Sequence, residues 1–248
     1  MIWGNSGPTT YATCYLDDGS EVVVLGLNVA SDAFHASAAM LSGAERDRAS
    51  RFAFDSDRRR FTVARAGLRT LLAARLGVTA DAVELTYAKN GKPALAKAQA
   101  DSGLRFNLSH SGDVAAYAFS MGQEIGIDVE GIREIANADN IAARFFSARE
   151  SEVYDTLAPI DKPLGFLNCW TRKEAFIKAH GRGLSIPLDQ FVVTLAPGAA
   201  PALVSAAFEP DAARRWSLRD LHPGPGYVGA LAADGGGWAL RRWRWLPL

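Results

Sequence analysis

Two acidic side chains, two residues apart, mark the stretch of the sequence best suited to metal chemistry. Asp128 and Glu130 lie in Gly126–Glu130, at the end of a segment whose β-branched residues predict a strand. Residues two apart in a strand point to the same face, so we expect the carboxylates to lie close together. Like charges held so closely repel, and a divalent cation such as Mg²⁺ would remove the conflict. The alternative is an ordinary strand with a solvated acidic face.

A second group of reactive residue types lies on a predicted helix over residues 164–180, where Trp170, Glu174 and Lys178 recur at four-residue steps. That spacing places all three on one helix face. Glu174 is a candidate third metal ligand or general base, and Lys178, one turn further on, can neutralise a phosphate. The alternative is a surface Glu–Lys pair, which contributes a few tenths of a kcal/mol.

A third group lies in Phe106–Gly112, where a predicted strand leads into a turn over residues 109–113. Hydroxyls, backbone N–H groups and the imidazole of His110 would be exposed together there, and such a turn can bind an anion. A second possibility is a nucleophilic Ser109 with His110 as its base, although the Gly-x-Ser-x-Gly sequence of a nucleophile elbow is absent. A third is a purely structural turn with a hydrogen-bonded histidine.

The fourth group is basic and is concentrated in the first half of the chain. Arginine is well shaped to hold phosphates, so this group is either a set of phosphate clamps or a solvated charged face. Its members are Arg46, Arg48, Arg51, Arg58, Arg59, Arg60 and Lys92.

The elements that position these residues alternate between strands and helices in both halves of the chain. A strand over 21–28 precedes a long helix that we expect Asp57 to cap and Gly77 to end. The last two strands, 227–232 and 238–245, are expected to form a hairpin. A short echo, Ala-Ser-Arg-Phe before the first long helix and Ala-Ala-Arg-Phe before the second, accompanies this alternation. The pattern predicts an α+β fold with two similar subdomains.

Composition limits the classes of partner and compartment. The 248 residues include 27 Lys and Arg and 27 Asp and Glu, so no global charge attracts nucleic acid or an anionic membrane. The two cysteines, Cys14 and Cys169, form no motif typical of zinc or of a disulfide framework. Neither a signal peptide nor an apolar stretch of membrane-spanning length is visible. We expect a cytoplasmic protein that binds neither nucleic acid nor membranes.

In combination, the motifs resemble those of the 4′-phosphopantetheinyl transferases of the larger, Sfp-like type. Each motif is short, but their ordered combination is specific and extends over about residues 46–188. The matching stretches are Asn90–Pro93, Phe106–Ser111, Gly126–Glu130, Arg144–Ser147, Trp170–Ala175 with Lys178, and Gly181–Leu184.

The resemblance implies a monomer of two similar α+β subdomains related by a pseudo-twofold axis, over residues 1–121 and 122–248, with coenzyme A between them. It implies transfer of the phosphopantetheine arm from coenzyme A to a serine of an apo acyl, peptidyl or aryl carrier protein. Asp128, Glu130 and Glu174 would hold Mg²⁺. Lys178 would contact the pyrophosphate, and Glu174 would accept the serine proton, directly or through a metal-bound water.

The resemblance also assigns residues to the nucleotide. Lys92 and Pro93 would lie near the adenine, and Ser109 and His110 would contact the phosphates. Arg48 and Arg60 would help to hold the 3′-phosphate. The family often has a small or polar residue after the position of Arg60. This chain has Phe61 there, so a hydroxyl contact is absent.

Three other functions use the same residues. A metal-dependent phosphohydrolase would use the carboxylates with water as nucleophile. A binding module would hold coenzyme A or a carrier protein without transfer, although intact Asp128, Glu130, Glu174 and Lys178 argue against it. A serine hydrolase built on Ser109 and His110 lacks an identifiable acidic partner and oxyanion hole.

Overall fold

The fold is seen in a computed structural model that describes residues 4–6, 20–88 and 91–245. The strands are β1 (Gly4–Ser6), β2 (Ser20–Gly26), β3 (Leu85–Tyr87), β4 (Pro93–Leu95), β5 (Leu104–Ser111), β6 (Val114–Met121), β7 (Ile125–Gly131), β8 (Phe191–Val193), β9 (Leu203–Ala206), β10 (Trp216–Leu221), β11 (Tyr227–Asp234) and β12 (Leu240–Trp245). The α-helices are α1 (Ser31–Ala39), α2 (Gly43–Ser50), α3 (Asp55–Leu76), α4 (Lys97–Ala100), α5 (Ala138–Phe145), α6 (Ala148–Thr156), α7 (Lys162–His180) and α8 (Ala212–Arg215), with short 3₁₀ helices at Gly183–Ser185 and Leu188–Gln190. The predicted α+β class is confirmed. Asn90, which opens one of the matched motifs, lies outside the described residues.

The chain forms two compact units, and their boundaries differ from the expected division after residue 121. The first unit comprises the described parts of Met1–Leu104, Asp113–Met121 and Ala239–Leu248, and the second comprises Arg105–Gly112 and Gly122–Trp238. Most of β5 therefore belongs with the later part of the chain, because its side chains bond to β7. The last strand belongs with the earlier part, because it pairs with β2.

The first unit is a mixed sheet with α3 packed against it. Its strands lie in the order β1-β12-β2-β6, with β12 parallel to β1 and β2, and β2 antiparallel to β6. The expected β11–β12 hairpin is therefore wrong, because the backbone groups of β12 pair with β2 and those of β11 with β7 and β10. Gly67 allows close approach of α3, since a Cβ there would lie 2.7 Å from Leu25 Cδ2 and 2.8 Å from the hydroxyl of Tyr117.

The second unit has an antiparallel sheet, β10-β11-β7, covered by α7. Its core contains a cluster of buried aromatic side chains, two of them, Phe166 and Phe176, on α7. The members are Phe146, Tyr154, Phe166, Phe176, Phe191 and Trp216. Glycine at position 126 brings β7 and α7 together. A Cβ on Gly126 would lie 2.2 Å from Ala175 O and 2.3 Å from Ala179 N, so no larger residue fits without separating the two elements.

The two long helices end as the sequence predicts but begin elsewhere. Gly77 and Gly181 are in the left-handed conformation after α3 and α7, with φ of 68° and 83°, which favours glycine as a terminator. Asp57 is not the N-cap of α3. The helix begins at Asp55 after Phe54. Asp57 lies in its first turn, where its carboxylate interacts favourably with the positive end of the helix dipole.

Each unit repeats one local device in front of its long helix. Ser42 with Glu45 and Ser147 with Glu150 form capping boxes at the starts of α2 and α6. In both cases the glutamate is buried and bonds to a cation on the long helix: Glu45 to Arg69 at 2.6 Å, and Glu150 to Lys173 at 2.7 Å. The two units therefore share this local arrangement, which lies outside the four-residue echoes at 49–52 and 142–145.

No helix in the described part of the chain combines the length and the hydropathy that crossing a membrane requires.

Candidate active site

Strand β7 holds the two candidate metal-binding carboxylates. Ile127 and Val129 are fully buried, and Asp128 between them is 4% exposed, whereas Glu130 near the strand end is half-buried. Residues of one parity in a strand share a face, so Asp128 and Glu130 lie on the same face as Gly126, the side on which α7 packs. The carboxylates therefore face the helix that carries Glu174 and Lys178.

Three side chains of β5 bond to β7 and form a ladder at its edge. Ser109 Oγ donates to Asp128 Oδ1 and Ser111 Oγ donates to Glu130 Oε2, both at 2.8 Å. The backbone N–H of Ile127 donates to Asn107 Oδ1 at 3.0 Å, and that of Gly131 to Ser111 Oγ at 3.2 Å. Residues 107, 109 and 111 are on one face of a strand, and their partners follow in the same order along β7.

The predicted turn over residues 109–113 is accordingly wrong in its extent. Strand β5 continues to Ser111, and the reversal takes place at Gly112, whose φ is 52°. Both serines lie in the strand, and their hydroxyls bond to the carboxylates of β7. His110 points away from them and is exposed, as the alternation of a strand requires.

Lys178 on α7 is bonded directly to the carboxylate site. Its Nζ donates to Asp128 Oδ1 at 2.6 Å, to Ile127 O at 3.3 Å and to Ser109 Oγ at 3.4 Å. The lysine side chain is 27% exposed and that of Asp128 is 6% exposed. A charge-assisted hydrogen bond of this length in a largely dry site is much stronger than one at the surface.

Glu174 lies one turn before Lys178 and is half-buried. Burial raises the pKa of its carboxyl group, the Lys178 ammonium opposes this, and the negative charges of Asp128 and Glu130 raise it further. The charges of all three expected ligands therefore interact. Glu174 therefore has a higher pKa than an isolated surface glutamate.

The residues fit a cation electrostatically, although they are not gathered into a tight ligand cage. Across residues 4–6, 20–88 and 91–245, no three His, Cys, Asp or Glu side chains form a group that could hold a metal ion. Nevertheless, Asp128 Oδ2 is buried without a hydrogen-bond partner, which is costly for a carboxylate oxygen. A divalent cation would give the unpaired Asp128 oxygen a partner. It would also offset the repulsion between the carboxylates of Asp128, Glu130 and Glu174.

The remaining candidate residues belong to the first unit. Arg48 is exposed on α2, with its guanidinium 5.3 Å from the centre of the Phe61 ring. Arg60 bonds to Asp113 at 3.0 Å, and this hydrogen bond, with the charge of Asp113, raises the pKa of Arg60. Pro93 is buried at the start of β4, and Lys92 just before it is half-buried. Phe61 therefore packs against this arginine.

Two features of the site were not identified from the sequence. Ser111 bonds to Glu130, and its two-residue spacing from Ser109 matches that of Asp128 and Glu130, a signal that the prediction of a turn obscured. Gly126 sets the distance between β7 and α7. The only signal for this in the sequence is its position two residues before Asp128, which places it on the same face of the strand.

Comparison with known proteins agrees with these motifs. Residues 124–232 match the 4′-phosphopantetheinyl transferase superfamily, and residues 28–122 match the family described as 4′-phosphopantetheinyl transferase, N-terminal. The chain is 39% identical over 208 residues to the 4′-phosphopantetheinyl transferase HetI of Nostoc sp., covering 84% of each protein. The chain belongs to the 4′-phosphopantetheinyl transferase family. It is a transferase enzyme of the larger, Sfp-like type.

Further similarity supports the type of transferase. The 4′-phosphopantetheinyl transferase Sfp of Bacillus subtilis is 31% identical over 196 residues, which is 78% of this chain and 82% of Sfp. The crystal structure of Thermotoga maritima holo-[acyl-carrier-protein] synthase (AcpS) has a TM-score of 0.36 and 22% identity, over 46% of this transferase and 64% of AcpS. That structural likeness is too low to bear on the site. The superfamily match at 124–232 contains β7 and α7, and with them both carboxylates, Glu174 and Lys178.

Proposed function

We propose that this transferase moves 4′-phosphopantetheine from coenzyme A to a serine of an apo acyl, peptidyl or aryl carrier protein in an Mg²⁺-dependent reaction. The products are the holo-carrier protein and adenosine 3′,5′-bisphosphate. The observation that carries the proposal is the ion pair between buried Asp128 and partly exposed Lys178, with Glu130 and Glu174 beside it, inside the segment that matches the family.

Asp128, Glu130 and Glu174 would hold the cation. The orphaned Oδ2 of Asp128 and the raised pKa of Glu174 support this assignment, since both are penalties that a positive charge removes. When bound, Mg²⁺ would neutralise the charge that develops on the pyrophosphate of coenzyme A.

Lys178 would contact that pyrophosphate. Its ammonium already lies at the carboxylate site, where it is partly exposed and so accessible to a phosphate oxygen. A positive charge held in place by Asp128 and Ile127 O needs little reorganisation when the transition state forms, which is the usual origin of electrostatic catalysis.

Glu174 would act as the general base. The carrier serine oxygen forms a bond to the β-phosphorus of coenzyme A, and its proton passes to Glu174. The bond between that phosphorus and the bridging oxygen breaks, and the electron pair leaves with adenosine 3′,5′-bisphosphate. Burial raises the pKa of Glu174 and so favours proton transfer to it, whereas a cation bound to the same carboxylate would lower that pKa.

The nucleotide would be held by the residues that the family motifs assign to it. Arg48 and Arg60 would bind the 3′-phosphate, and Arg60 would then exchange part of its contact with Asp113 for the ligand. Lys92 and Pro93 would lie near the adenine. Ser109 and His110 would contact the phosphates, with Ser109 also retained by Asp128.

We further propose that the enzyme acts as a cytoplasmic monomer with no nucleic-acid or membrane partner. The balanced charge, 27 basic against 27 acidic residues, supports the absence of a nucleic-acid or anionic-membrane partner. Ile141 and Phe145 pack against the core of the second unit, and Phe146 belongs to it.

Intact mass spectrometry tests the transfer. The purified enzyme is incubated with coenzyme A, Mg²⁺ and a panel of apo-carrier proteins, and the mass of the phosphopantetheine arm should appear on at least one carrier. Asp128→Asn should reduce the rate by about 10²-fold or more, because it removes a charge at the reacting centre. Glu124→Gln is the matched control, since Glu124 immediately precedes β7 but is 46% exposed and bonds to Arg105.

Two results would contradict the proposal. Release of adenosine 3′,5′-bisphosphate without modification of any carrier would indicate a phosphohydrolase. Equal activity of Asp128→Asn and Glu124→Gln would remove the β7 carboxylates from the mechanism.

A further inference from the structure

The hydroxyl of Ser111 has a fixed direction. Ser111 is 8% exposed, and its Oγ lies 3.2 Å from the N–H of Gly131 and 2.8 Å from Glu130 Oε2. The backbone N–H can only donate, so Oγ accepts from it and directs its single proton to the carboxylate. Ser111 therefore fixes Glu130 from a rigid strand and is itself held by the residue after Glu130.

Glu130 depends on this contact more than Asp128 depends on any one of its own. Asp128 Oδ1 accepts from both Ser109 and Lys178. The ion pair of Glu130 with Arg133 is weaker, since Arg133 lies 3.9 Å away and is 64% exposed, a distance and exposure at which an ion pair contributes little. A glutamate also has one more rotatable bond than an aspartate, and it lies near the end of its strand.

We propose that Ser111 is a positioning residue that orients the carboxylate of Glu130 for the cation. The proposal rests on the function proposed above, in which Glu130 is a metal ligand. The hydrogen bond occupies Oε2 and holds the plane of the carboxylate. Partners of this kind, one bond removed from the metal, typically change metal affinity by about 10–100-fold when they are removed.

The test is a double-mutant cycle read by direct binding of Mn²⁺, measured by electron paramagnetic resonance on the full-length protein without coenzyme A or carrier. Ser111→Ala should weaken Mn²⁺ binding about tenfold, and Glu130→Gln should weaken it by at least as much. The double variant should bind no more weakly than Glu130→Gln alone, because the serine acts only through Glu130.

A matched control separates positioning from a general loss of strand hydrogen bonds. Ser217→Ala removes a half-buried serine hydroxyl from β10, in the same unit, where Oγ donates to Gly235 O at 2.6 Å. It should leave Mn²⁺ affinity unchanged. Should Ser111→Ala not fold, Ser111→Cys carries the same test, because a thiol is a weaker donor of similar size.

The outcomes separate this inference from the function beneath it. If Glu130→Gln weakens Mn²⁺ binding and the Ser111 variant does not, or if the two losses add fully, Ser111 does not position Glu130. If Glu130→Gln itself binds Mn²⁺ like the wild type, the metal assignment fails, and the inference fails with it.

Discussion

Gly126→Ala is the substitution that tests most sharply how β7 and α7 form the site. The added Cβ would meet Ala175 O at 2.2 Å, Ala179 N at 2.3 Å and Ala179 Cα at 2.9 Å. All three atoms belong to the helix backbone, so no side chain can rotate to make room. Ordinary contact begins at 3.4 Å, so strand and helix must separate by about 1 Å.

That separation has a cost in stability and a larger cost in activity. Overpacking a core lowers the free energy of unfolding by about 1–3 kcal/mol, and contacts with rigid backbone place this variant at the upper end. At about 2–4 °C per kcal/mol, the melting temperature should fall by about 6–12 °C. Glu174 and Lys178 flank the displaced residues, and a misplacement of about 1 Å in a catalytic group can reduce the rate about 10²-fold.

Thermal unfolding by circular dichroism and the rate of carrier modification measure these two effects. Gly131→Ala is the control for stability on the same strand, since its Cβ would meet Tyr227 Cε1 at 3.7 Å and Ser111 Oγ at 4.0 Å, both ordinary contacts. It should change the free energy of unfolding by less than about 0.5 kcal/mol. A Gly126→Ala enzyme that melts and reacts like the wild type would refute the close packing of helix on strand.

Two further predictions concern buried charge in the second unit. Lys173→Met should lower the free energy of unfolding by about 3–5 kcal/mol in urea denaturation, because it leaves the buried carboxylate of Glu150 without its cation. Arg58→Met, at an exposed ion pair, is the control and should lower it by less than about 1 kcal/mol. Burial raises the pKa of Glu174, so its contribution to stability is complete below its ordinary value of 4.5 and is lost as the pH rises through the raised value. In thermal unfolding with chelator present, the melting temperature of Glu174→Gln should therefore rise relative to that of the wild type as the pH is raised.

Each of these predictions has a definite contrary result. Equal losses for Lys173→Met and Arg58→Met would mean that Glu150 keeps a solvated or protonated carboxyl group. A constant difference between Glu174→Gln and the wild type across the pH range would mean that burial does not disfavour the charge of Glu174.

Local periodicity accounts for what the sequence predicts well. The two-residue spacing of Asp128 and Glu130 and the four-residue spacing of Glu174 and Lys178 describe single elements, whose geometry does not depend on the rest of the chain. The glycine that ends α7 is equally local.

Long-range contacts account for the errors and omissions. Ser109 and Ser111 have the composition of a turn, but they lie in a strand, and their hydroxyls bond to carboxylates of β7, 19 residues later in the chain. Strand β12 has the pattern of a hairpin partner for β11, but its backbone pairs with β2, more than 200 residues earlier. The role of Gly126 requires knowing which helix packs on its face.

A crystal structure of the enzyme with coenzyme A and Mn²⁺, with the metal located by its anomalous scattering, tests the central claim most directly. We expect one peak beside the pyrophosphate, with oxygens of Asp128 and Glu130 at coordination distance, about 2 Å. A well-bound metal whose ligands include neither carboxylate of β7 would contradict it.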